Sequence, residues 1–161
     1  MSGRKVLDRN RVLPVMTVAV HRQRLLMRML PSGESIVLSA LFPNLLEDID
    51  YVEAELLTSI PVAKDNQRYI DPLIEIQNIE VGNLSAQVRG TVSIPANENA
   101  EPASLIWLVA MAYDVSGNPV GLRKYQHEGE IQPGDRINFE LSVYSHGPEI
   151  SEIVVLGEAR P

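Results

Sequence analysis

Side chains able to do chemistry are plentiful in this chain, but none of them falls into a reactive spacing. The three histidines, His21, His127 and His146, are separated by long stretches and form no HExxH pair. Without cysteine, thiol catalysis, disulfides and thiolate-ligated zinc or iron–sulfur centres are all excluded. No GxSxG elbow presents a serine nucleophile, and "GNPVG" and "QPGD" are turn sequences rather than phosphate-cradling glycine loops. Carboxylates cluster at Glu47–Asp50, Lys64–Asp71 and Asn97–Glu101, where hard oxygen donors suit calcium, but the regular ligand spacing of an EF-hand is missing. With aromatic content at 5% and a single tryptophan, Trp107, there is little material for a sugar-stacking cleft. These features predict no catalytic residue, no cofactor, no bound small-molecule substrate and no metal beyond calcium in those loops.

Charge is distributed unevenly. Residues 1–30 hold seven Lys or Arg and one acid, whereas the remaining residues hold seven basic and twenty acidic side chains, a balance of −13. An acidic body repels phosphate, which argues against nucleic-acid binding. The basic start, with Arg22, Arg24 and Arg28 close together, is the candidate contact for an anionic partner.

The elements that would position these groups are strands. In "LSAQVRGTVSI", Leu84, Ala86, Val88, Gly90, Val92 and Ile94 share one face; in "DRINFELSVY", Ile137, Phe139, Leu141 and Val143 do. "LIEIQNIEV" reads as an opening edge strand and "EISEIVVLGEA" as a closing one. "LIWLVAMAYD" is nearly continuous in apolar residues, so it suits a central strand, with Trp107 expected to be buried against the opposite sheet. Turn chemistry separates the runs at "IPANENAEPAS", "DVSGNP", "QPGD" and "SHGPE". In the second of these, Asp114 is placed to accept backbone N–H groups just ahead of it, and Gly117 to take a positive φ. The fold class expected is all-β: an antiparallel, immunoglobulin-like β-sandwich of about seven strands in the second half of the chain.

Sliding the chain by 101 positions sets Gly33 on Gly134, Ile36 on Ile137, Ile49 on Ile150 and Val52 on Ile153, without a gap from Ser32 to Ile60. This self-similarity predicts a second, partial related unit at the N-terminus, covering residues 1–60 and built from the C-terminal strands only. Residues 61–73 are then the linker and residues 74–161 the complete domain. Residues 15–30 read as a strand on the repeat, although "RQRLLMRML" contains good helix formers. A partial sandwich exposes strand edges and an apolar face. Such a unit is completed within the chain, by parts of a longer protein, or by a second copy in a homodimer.

"GTVSI", "WLVAMAYDVSGNPVG", "IQPGDRINFEL" and "EISEIVVLGEA" together resemble the FxLYD domain, a bacterial and archaeal immunoglobulin-like module whose strand ends in Tyr-Asp. Within Val109–Asp114, only Tyr113 and Asp114 match that name literally. The resemblance covers roughly Leu73 to Pro161 and implies a non-enzymatic module of a cell-envelope or secreted protein, often tethered to a membrane segment elsewhere.

The strand pattern predicts a structural or protein–protein interaction module, and the resemblance implies that it belongs to a larger, extracytoplasmic or membrane-anchored protein. It would meet a partner or itself through sheet edges, with Trp107, Tyr113, Asp114, Gly117 and Gly134 as structural turn and core residues. No long apolar stretch marks the N-terminus as a secretory signal, which leaves open a cytoplasmic regulatory or ligand-binding domain contacting an anionic partner through its basic start.

Overall fold

The computed structural model describes residues 35–37, 68–96 and 100–161. The partial unit at 1–60, most of the linker, the strand over 15–30, and Arg22, Arg24 and Arg28 lie outside these, apart from Ser35–Val37 and Arg68 onward. Six strands and no helix are present among the described residues: β1 (Leu73–Val81), β2 (Ser85–Ser93), β3 (Ala103–Tyr113), β4 (Pro119–Ile131), β5 (Arg136–Tyr144) and β6 (Glu152–Arg160). The expected count of about seven thus exceeds the described strands by one.

All pairings are antiparallel, and they form two three-stranded sheets ordered β1-β2-β5 and β4-β3-β6. The alternation in β2 and β5 turns one side of each strand inward, so Val88, Val92, Phe139, Leu141 and Val143 line the first sheet's inner face. Facing them in the same core are Ile106, Leu108, Ala110 and Ala112 of β3 and Ala159 of β6. The apolar run 105–112 therefore occupies the middle of its sheet, where both faces of a strand are covered.

Trp107 departs from its expected place. It lies one residue out of phase with Ile106 and Leu108, so it faces away from the opposite sheet and is only partly buried. Its indole N–H donates to Gln126 Oε1 at 2.8 Å. Lys124 Nζ lies 4.0 Å and Arg160 Cζ 4.6 Å from the ring. Glu158, only 2% exposed, accepts Arg160 Nη2 at 2.9 Å and Nε at 3.0 Å on this outer face.

The other end of that outer face is apolar. Val109 and Met111 are wholly buried there, with Tyr113, Leu122, Val154 and Leu156 around them and Ile36 and Val37 packed on top. The Val37 N–H donates to Met111 Sδ at 3.2 Å.

Candidate interaction surface

The β3–β4 turn is the most fully bonded local feature. Asp114 Oδ1 accepts the N–H groups of Ser116 and Asn118, each at 2.8 Å, and Oδ2 accepts the Asn118 side chain at 3.0 Å. The Asn118 side chain and backbone, followed by the Ser116 and Gly117 N–H groups, hold the carboxyl below its ordinary range. Gly117 takes φ 79°, and its N–H closes the turn on the Asp114 carbonyl at 3.0 Å. Each oxygen of Asp114 thus accepts within its own turn, a structural use that accounts for an Asp at the end of this strand. Tyr113, on the outer face, directs its hydroxyl to Met111 Sδ at 3.7 Å.

Gly134, at φ 89°, serves the β4–β5 turn in the same way. Its N–H donates to the Ile94 carbonyl at 2.9 Å, and Asp135 Oδ2 accepts the Gln132 N–H at 3.0 Å. Asp114 and Gly117 share the β3–β4 turn, Gly134 lies in the β4–β5 turn, and Trp107 stands on a sheet face, so the structure does not gather these residues into one site.

Among the described residues, no group of three His, Asp or Glu could hold a metal ion. Of the acid clusters, Glu47–Asp50, the first half of Lys64–Asp71 and residues 97–99 of Asn97–Glu101 lie outside the described residues, as does His21. His127 is on β4, while His146 follows β5 and donates its backbone N–H to the Val120 carbonyl at 2.9 Å.

Two seams separate the sheets, and they differ in chemistry. The first runs between edge strands β4 and β5. The β4–β5 turn closes one end of it, and the close approach at Gly121 closes the other, where a Cβ would lie 2.5 Å from the Tyr144 carbonyl oxygen. Between them is a shallow groove of about 460 Å³ lined mainly by polar or amphipathic groups, including Arg123, Lys124, Tyr125, Glu140 and Tyr144.

The second seam runs between β1 and β6. At one end the chain entering β1 bonds to β6 through Ile70 N–H to Ala159 carbonyl at 2.9 Å and Ala159 N–H to Ile70 carbonyl at 3.0 Å. At the other end the Ile150 N–H donates to the Asn83 carbonyl at 2.9 Å. Between these ties Ile74 and Pro72 pack over Gly157, and beyond them the seam is open and apolar. Ile76, Ile79 and Val81 pair with Gly90, Val88 and Ala86, whose positions face the core, yet they remain 41%, 42% and 48% exposed. Ile153 and Val155 of β6 pack on the same core and are only partly buried.

The β6 edge along this seam has a defined polarity. Ala159 directs both backbone groups to Ile70, and alternation along a regular strand directs those of Gly157, Val155 and Ile153 to the same side. No described strand pairs with β6 over those three residues. N–H and C=O groups that no described strand pairs, beside exposed apolar side chains, are what an added strand requires.

Sequence reasoning marked β1 as an edge but did not single out Ile76, Ile79 and Val81. A signal was present. The apolar spacing changes from two to three between Ile76 and Ile79, where the ladder shifts register around Gln77. That bulge keeps Ile74, Ile76, Ile79 and Val81 on one face.

No protein-family model matches the chain, and comparison with curated proteins and with solved structures likewise finds no match.

Proposed function

We propose that the chain is a non-enzymatic protein-interaction module, an immunoglobulin-like sandwich that accepts an extended segment of a partner at the β1–β6 seam. The observation that carries this reading is the exposure of Ile76, Ile79 and Val81 beside the edge of β6 that no described strand fills.

The strand order supports it. Labelled in sequence, β1, β2 and β5 correspond to immunoglobulin strands A, B and E, and β4, β3 and β6 to a C′-C-F sheet. In that architecture the last strand, G, lies beside F, which is the position along β6 that no described strand fills. Apolar side chains that strand G would cover in an immunoglobulin domain are left at the surface here. The FxLYD-like turn at Tyr113-Asp114 agrees with the same assignment and with a place in a larger cell-envelope protein.

The test is a photo-crosslinking residue at position 79 and, as control, at position 144 on the opposite seam, each in the full chain exposed to an extract of the source cells. A discrete crosslinked polypeptide from position 79, absent from position 144 and lost when Val155→Pro is added, supports the reading. Equal crosslinking from both positions, or none from position 79, overturns it.

A further inference from the structure

We infer that the partner strand is apolar at alternate positions, carries Lys or Arg immediately C-terminal to them, and runs antiparallel to β6. This rests on the reading of the seam as an interaction surface and goes on to specify the partner.

Direction comes from the chain itself. The segment around Ile70 already lies antiparallel to β6 at Ala159. A strand added beside Gly157, Val155 and Ile153 continues the edge in the space below it, spanning about five residues at roughly 3.3 Å each. Its alternate inward side chains would rest on Ile76, Ile79 and Val81. Its C-terminal end would then reach the start of β6.

That end of the seam is acidic. Glu152 opens β6 and Glu149 precedes it, both exposed. The Ile150–Asn83 hydrogen bond brings the β1 terminus, with exposed Glu80, to the same end. Glu80 already accepts the Asn78 side-chain N–H at 2.8 Å and has Arg89 at 3.9 Å, so Glu149 and Glu152 carry the acidic character of this end. A basic side chain leaving the added strand here meets exposed carboxylates of opposite charge, which favours a matched partner over a mismatched one.

The same charges argue against a second copy as the occupant. The net charge of −7 sets identical chains against each other.

The experiment selects random linear peptides displayed on phage against the full chain, then maps the winning synthetic peptides by amide hydrogen exchange. The expected result is enrichment of peptides with apolar residues at alternate positions followed by Lys or Arg, protecting the Ile153 and Val155 amides. Binding should fall about tenfold in Val155→Pro, which removes an edge N–H. It should weaken several-fold in Glu152→Lys, with less salt dependence than the parent. Peptides that protect β6 but lack the basic end, or that bind Glu152→Lys as tightly, overturn this inference and leave the interaction surface standing. Protection elsewhere, or no enrichment, removes both. A chain that dimerises through β6 in light scattering overturns the partner assigned here in favour of a second copy.

Discussion

Gly90 of β2 lies directly across from Phe139 of β5, and a Cβ on Gly90 would sit 2.9 Å from the ring's Cζ. The same Cβ would also run into the backbone carbonyl of Glu75 in β1. Gly90 is therefore the point at which β1, β2 and the Phe139 ring fit together, and a side chain there has to displace backbone as well as ring. Gly90→Ala is expected to destabilise the chain by about 1–3 kcal/mol, the usual cost of overpacking. Urea unfolding checks it, with Phe139→Leu in the same background expected to recover part of the loss by freeing the ring side only. An unchanged Gly90→Ala midpoint would show that β1 is not seated against β2 at this place.

The Asp114 turn has a pH signature. Hydrogen bonds from Asn118, Ser116 and Gly117 lower the folded-state pKa below 3.8, so the ionised form is favoured by folding. The contribution is fully present above the ordinary carboxylate range and is lost as pH falls through the depressed value. Asp114→Ala should therefore unfold more easily than the parent at neutral pH, with the gap narrowing as the solution is acidified below that range. Parallel thermal melts of the two chains across pH isolate Asp114 from the other carboxylates. A gap that keeps its size into acid would mean that the charge of Asp114 contributes nothing.

Much of the architecture was legible because period-two alternation and turn residues act locally. Val88 and Val92, or Phe139 and Leu141, declare their inward face without knowledge of the opposing sheet. The Asp114 and Gly117 turn is likewise local chemistry. Trp107 was misplaced because a continuous apolar run conceals its phase: Ile106, Trp107, Leu108 and Val109 are all apolar, and only the pairing shows which two face the core. The seam was hidden for another reason. Its openness depends on which strands lie beside β1 and β6, and no residue within "LIEIQNIEV" records whether a strand stands next to it.

Adjacent residues of β6 should respond in opposite ways to proline. Val154 bonds towards β3, so Val154→Pro removes a ladder hydrogen bond and is expected to cost about 3 kcal/mol or more. Val155 directs its N–H to the open edge, where proline removes no bond within the described fold. Val155→Pro should melt close to the parent while Val154→Pro melts well below it. If both variants lose similar stability, the edge of β6 is covered, and the interaction surface assigned to it is not available.

Met111 provides the last test, on the outward face of the β4-β3-β6 sheet. Its neighbours Ala110 and Ala112 face the shared core, so Met111 points away from it and would face solvent in a bare two-layer sandwich. Truncating a solvent-facing side chain changes stability by only about 0.5 kcal/mol in either direction. Met111 is instead fully buried, held by Val109, Leu122 and Val154 and covered by Ile36 and Val37. Met111→Ala is therefore expected to cost about 2–5 kcal/mol, as for a core methionine. Val37→Asp, which places a charge against the same patch, should destabilise the chain in the same direction and increase hydrogen exchange at Val109 and Met111. A near-neutral Met111→Ala would mean that the segment carrying Ile36 and Val37 does not rest on this face in solution, and that the sandwich stands as two layers rather than a covered pair.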